Sequence, residues 1–408
     1  MIMQEGRTNM YRVAARTVCF VAGLAMLLLV TEGGSAGRTQ LRPTATAPRN
    51  RPTATRSPYA CNSSLDFGSV EKADSKGLCM DDTTFSTCPW SVPHTWPNTK
   101  APIKILRLFA AWKEAWPAEN REDAWNALDA WLRQTDGKIL LGSEVSCDDN
   151  DEQMWKWAIE LMQRVGPERL LGVAIGNEID LLNKKEKKLV STECLERLWI
   201  NEGFQNDFIR RIDEMDALGG GFEHVPVMTV WSTVTYEEFP FTQKPTAKTL
   251  SFMQAMVERY HTRFVFAFNF YPYFEPTNSM DSGGQTCDNT IKRNGCFGEE
   301  CFVSMMARSA RKRIANMTNN SDGYTLIVGE SGWSWPTSGT TQWWMARCKE
   351  WSSVETFRNF YKSFLGWELD GDQPPDYSFF FTMRDAFNFG VEEHFGLISS
   401  CTSTDCKL

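Results

Sequence analysis

A (β/α)8 barrel of the α/β class, the TIM barrel, formed as a single domain, is the fold this sequence predicts, and three observations predict it. Seven apolar runs of strand length alternate with stretches of helical periodicity between Ile103 and Asp385. The runs are continuously apolar rather than alternating, as in strands of a parallel sheet covered on both faces. No Gly-x-Gly-x-x-Gly turn follows any of them, which weighs against a doubly wound open sheet.

Taken in order, residues 1–37 read as a targeting segment. Arg7, Arg12 and Arg16 precede the apolar run Thr17 to Val30, and small residues follow. The run falls short of the ~20 residues that span a bilayer. A cleaved signal peptide is expected, with an uncleaved signal anchor as the alternative and the only route to a membrane. Residues 38–58 carry "RPTAT" twice and little to bury, so they predict a disordered linker. The barrel domain then covers 59–408. Its first strand is the weak point: "CNSSLDFG" (61–68) offers nothing convincing. Strands follow at 103–109, 138–145, 170–178, 225–232, 264–274, 324–333 and 377–385. Helical periodicity marks 121–134, 151–165, 193–215 and 353–365.

With 42% hydrophobic residues, 26 Phe and 16 Trp, the chain can fill a large core and also offer flat faces to a ligand. Net charge is −8, but the first 58 residues hold +6, which leaves −14 for residues 59–408. So acidic a body argues against nucleic acid and for a neutral partner. Four His with no H-x-x-x-H, and no C-x-x-C, make a zinc site improbable. No cofactor is implied, and a monomer is expected. Twelve Cys, one of them in the signal, fit an oxidising compartment; local bridges Cys296/Cys301 and Cys401/Cys406 are expected, with at least one of the remaining eleven unpaired within the chain. Sequons at Asn62, Asn316 and Asn319 agree with secretion.

Two of the strands end in glutamate, "VAIGNE" at Glu178 and "LIVGE" at Glu330. In such a barrel the chemistry sits at the C-terminal strand ends. A carboxylate pair there is what glycoside hydrolysis needs: one group protonates the departing oxygen, and the other attacks the anomeric carbon or activates water. A gap of about 5–5.5 Å retains configuration and about 6.5–9.5 Å inverts it. Asn177, beside Glu178, is placed to bind a sugar 2-hydroxyl. Along "FVFAFNFYPYF", the two-residue period turns the four Phe toward the helices and Asn269 and Tyr271 inward, where Tyr271 can hold the Glu330 carboxylate. Trp333, Tyr273 and Phe274 are expected at the rim as faces for glucose rings.

"VAIGNE", "FNFYPYF" and "IVGESGWSWP", with "EEHFGLI" near the end, resemble glycoside hydrolase family 17, the β-1,3-glucanases and related transferases. The resemblance spans residues 103–398. It implies Glu178 as acid/base on strand four, Glu330 as nucleophile on strand seven, retention, and a β-glucan polysaccharide as partner; Glu392 matches the family's acidic residue. Phe109 stands where the family often has Tyr, and Ala386 where it commonly has Glu. Three functions follow in order: a secreted retaining β-glucan hydrolase, endo-acting on β-1,3-glucan; a glucanosyltransferase, with inserts 275–300 and 334–352 bearing Trp335, Trp343 and Trp344 as acceptor subsites; and a catalytically silent carbohydrate-binding wall protein.

Overall fold

Eight parallel strands close on themselves in chain order, β1 beside β2 and so on until β8 returns to β1. They are β1 Lys76–Met80, β2 Ile105–Leu108, β3 Lys138–Ser143, β4 Leu170–Asn177, β5 Val227–Trp231, β6 Phe266–Asn269, β7 Leu326–Ser331 and β8 Tyr377–Phe380. This computed structural model describes residues 65–183, 190–233, 235, 248–274, 286–320, 323–335, 348–369, 371, 373–388, 391–401 and 406–408, all within a unit that spans Thr55–Leu408. The targeting segment, the linker and Asn62 lie outside the described residues. Among those described, no helix is long and apolar enough to cross a membrane.

The seven predicted strands are present, each trimmed at one or both ends. The first strand is not near "CNSSLDFG" but at "KGLCM". Its apolar signal is three residues long, because Lys76 and Gly77 occupy buried positions for tertiary reasons. A Cβ at Gly77 would stand 2.2 Å from the Phe379 ring of β8, so only glycine lets the two strands meet. Lys76 is fully buried, donates to the Leu365 carbonyl at 2.7 Å and lies over the Phe364 ring. Burial lowers its pKa to about 7.

Helices cover the outside: α1 Asp82–Thr87, α2 Arg121–Thr135, α3 Asp151–Val165, α4 Thr192–Leu195, α5 Gly203–Asp216, α6 Lys248–Tyr260, α7 Cys287–Asn294, α8 Phe302–Thr318 and α9 Val354–Gly366. The helix expected over 193–215 is interrupted: a π-helical stretch Glu196–Ile200 follows α4, and Glu202 takes a left-handed backbone before α5 begins. The outward Phe face of β6 is as the period predicts, with Phe264 edge-on to Phe208 of α5 and Phe252 of α6. After β8 a short antiparallel hairpin, β9 Ala386–Asn388 and β10 Val391–Glu393, follows on.

Cys296 bonds Cys301 as expected. Cys401 does not bond Cys406; it pairs with Cys88, 313 positions away, and Cys406 is itself disulfide-bonded. Tertiary structure overrides sequence proximity here. The chain after β8 is tied to the end of β1 by Arg384, whose backbone N–H donates to Asp81 Oδ2 at 2.7 Å and whose guanidinium reaches Thr84. Two further bridges join Cys147 to Cys194 and Cys287 to Cys348, and Cys79 is free and buried. Asn316 and Asn319 are exposed.

Candidate active site

The C-terminal ends of three strand pairs depart from regular pairing where the predicted residues stand. Register shifts fall between Ala174 and Asn177 of β4, between Phe268 and Asn269 of β6, and between Val328 and Ser331 of β7. Bulges of this kind re-aim side chains beside functional sites. Gly176 near the end of β4 has φ 82°, and Glu178 just past it φ 49°, both left-handed. For glutamate that conformation costs of order 1–2 kcal/mol. The bonds that hold it run from Glu178 N–H to the Val230 carbonyl at 2.7 Å and from Leu181 N–H to the Glu178 carbonyl at 2.9 Å.

One side chain links the two carboxylates. The Asn269 amide donates to Glu178 Oε1 at 3.0 Å and to Glu330 Oε1 at 2.8 Å. The two oxygens are therefore no farther apart than those contacts end to end, about 5.8 Å. With each bond along its own N–H, the separation is roughly 5 Å. Tyr271 donates its hydroxyl to Glu330 Oε2 at 2.5 Å.

A residue that the sequence reading overlooked completes the arrangement. Arg107, from the middle of β2, is almost wholly buried; its Nη1 lies 2.9 Å from Glu330 Oε1 and donates to the Gly329 carbonyl at 2.7 Å. Its Nη2 donates to Asn177 Oδ1 at 2.8 Å, so one guanidinium spans β7 and β4. The signal was present in "IKILRLF": a charge inside an otherwise apolar parallel strand needs a buried counter-charge. Glu330, 5% exposed, is that counter-charge. Cys79 of β1 also faces this interior and points its thiol at the Gly329 carbonyl; burial pushes its pKa well up, so it stays a neutral thiol.

An aromatic wall backs Tyr271. Its ring stands 5.5 Å from Phe395 and 6.0 Å from Phe381, and Phe381 lies 5.9 Å from the half-buried Phe109. The Phe395 segment is pinned from below: Lys407 Nζ binds Asp385 Oδ1 at 2.8 Å and the His394 carbonyl at 3.0 Å, and Gly396 N–H donates to the same Asp385 oxygen.

The expected stacking faces need correction. Trp333 is fully buried; its Nε1 donates to the Trp351 carbonyl at 2.6 Å, and its ring packs on Trp351 and Phe360. Tyr273 is buried too, its ring edge-on to Trp333 and its hydroxyl 3.0 Å from Ser352 Oγ. Both brace the layer behind the site, because Trp333 packs on Phe360 of α9 and Tyr273 packs in turn on Trp333 and Trp351. Phe274, 37% exposed, does lie at the surface. Trp335 is half-buried against Phe357. Trp343, Trp344 and the Glu392 side chain lie outside what is described. One described group of metal-type donors comes together, Cys287, Cys348 and Glu350, but the two thiols form a disulfide and leave no thiolate to ligate.

No protein-family model and no curated protein sequence matches the chain. Solved structures that resemble it include an active-site mutant of the Rhizomucor miehei β-1,3-glucanosyltransferase in complex with laminaritriose (14% identity, 82% of this chain and 98% of that one, TM-score 0.42). They also include the family 17 β-1,3-glucanosyltransferase of that organism (14%, 75% and 88%, TM-score 0.41) and the family 1 β-glucosidase of Thermotoga maritima (10%, 72% and 77%, TM-score 0.42).

Proposed function

We propose that the protein is a secreted retaining glycoside hydrolase that cuts β-1,3-glucan within the chain, with Glu330 as nucleophile and Glu178 as acid/base. The observation that carries this reading is the shared Asn269 amide, which keeps the two carboxylates within about 5.8 Å. That reach fits the retaining geometry and is too short for a water between them. Their surroundings support the division of labour. Glu330 meets Arg107, Tyr271 and Asn269, three donors that hold its two oxygens in place for attack. Glu178 is more open and receives the Asn269 amide, as suits a group that gives a proton to the leaving oxygen and then takes one from water.

In the first step a Glu330 oxygen forms a bond to the anomeric carbon while the glycosidic bond breaks and the Glu178 proton goes to the departing oxygen. In the second, Glu178 takes a proton from water, whose oxygen displaces the Glu330 carboxylate and restores the starting configuration. Arg107 and Tyr271 keep Glu330 oriented, and the Asn177 amide is available to the sugar 2-hydroxyl.

The apolar wall of Phe109, Phe381 and Phe395 favours a second reading, in which a sugar hydroxyl resolves the intermediate in place of water. Incubation of the purified chain with soluble β-1,3-glucan tests both. Shorter products of retained configuration support hydrolysis, and products longer than the substrate support transfer. An inert wild type that behaves like Glu330→Ala overturns the assignment, and tight glucan binding without turnover supports a silent binding protein.

A further inference from the structure

A second group of polar side chains gathers at the barrel mouth on the β1–β3 side, and the chemistry above does not use it. Ser143, the last residue of β3, turns outward, its Oγ accepting from Arg211 Nη1 of α5 at 3.1 Å. By strand alternation Glu144 therefore points to the mouth. Its carboxylate is ion-paired with Lys113, from the loop after β2. The Lys113 ammonium lies 5.7 Å from the centre of the half-buried Trp116 ring, which is held edge-on by Trp112 at 5.1 Å. Asp82, which opens α1 just after β1, adds a half-buried carboxyl. Burial raises the pKa of this group, and the charges of Lys113 and Glu144 both act on it.

We propose that Asp82, Lys113, Glu144 and Trp116 form a saccharide subsite for a ring of the glucan chain other than the one attacked. A sugar offers an apolar C–H face and, at its edge, adjacent hydroxyls that both donate and accept. The Trp116 face takes the first; the ammonium and the two carboxylates take the second. Two acids against one base disfavour an anionic uronate, so the subsite selects a neutral hexose. The proposal rests on the polysaccharide-cleaving reading above and sharpens it, because an added subsite makes rate depend on chain length.

The test compares the full chain, Lys113→Met, Lys113→Arg and Trp116→Ala on an aryl β-glucoside and on β-1,3-gluco-oligosaccharides of increasing length. In parallel, oligosaccharide binding is measured in a Glu330→Gln background. Lys113→Met and Trp116→Ala are expected to raise KM for long oligosaccharides about ten- to a hundredfold. Aryl glucoside turnover stays as in the parent for both, Lys113→Met unfolds thermally as the parent does, and Lys113→Arg recovers part of the loss. Long oligosaccharides handled by both variants as by the parent would overturn the subsite alone. Lys113-dependent binding by a chain that cleaves nothing would keep the subsite and overturn the hydrolase. Neither binding nor cleavage by the parent would overturn both.

Discussion

The ends of β4 and β7 each carry a glutamate, yet the two are built differently. Glu330 lies inside its strand, 5% exposed, with a guanidinium, a phenol and an amide on its two oxygens. Glu178 stands just past its strand, half-buried, on a left-handed backbone that the bulged end of β4 imposes. At β7 the ordering is in side-chain charge; at β4 it is in the main chain. Under the proposed roles, a nucleophile that must stay fixed is served by the first, and an acid/base by the second, which receives the neutral Asn269 amide.

Removing each group in turn is the strongest way to break that comparison. Under the proposed roles, Glu330→Ala lowers kcat by about 10⁴-fold or more on every substrate. Glu178→Ala costs about 10²–10⁴-fold on glucan. On a nitrophenyl glycoside, whose leaving group needs no proton, the same variant shows a burst of nitrophenol and then slow turnover, measured by stopped-flow absorbance. Identical profiles for the two variants would erase the distinction.

Stability sharpens it. Arg107→Met leaves Glu330 buried without its ion-pair partner and is expected to cost about 3–5 kcal/mol in denaturant unfolding, with part recovered in Arg107→Met/Glu330→Gln. Glu178→Gln stays within about 1 kcal/mol of the parent, since the Asn269 amide can still donate to the glutamine oxygen.

The last effect is at the opposite end of the barrel, away from both glutamates. Lys76, with its pKa lowered to about 7 from an ordinary 10.5, holds its proton in the unfolded chain but not in the folded one between those values. Parent stability therefore rises with pH across that window and falls again as pH drops toward 7, at up to about 1.4 kcal/mol per pH unit. In Lys76→Met this rise is absent, and activity on glucan is unchanged. A parent whose unfolding free energy is flat from pH 7 to 10.5 would show that Lys76 keeps its proton in the folded barrel.

Much of this was legible beforehand where the signal is local. Seven strands announce themselves by continuous apolarity, and the period of two along β6 turns Asn269 and Tyr271 inward. β1 was missed because its glycine and lysine make sense only against Phe379 and Leu365. Trp333 and Tyr273 were misplaced because an aromatic after a strand reads the same whether it stands at a rim or packs on α9. Arg107 was passed over for the same reason: its meaning lies 223 positions away, at Glu330.

By itself, then, the sequence determined the kind of fold, the two glutamates and the strands that carry them, since periodicity and strand-end position are properties of neighbouring residues. Only the closed barrel decided how near the carboxylates stand, which cation serves them, which cysteine meets Cys88 and which tryptophans reach the surface. Those are distances between residues far apart in the chain, set by strand register, bulges and close packing, and no local pattern encodes them.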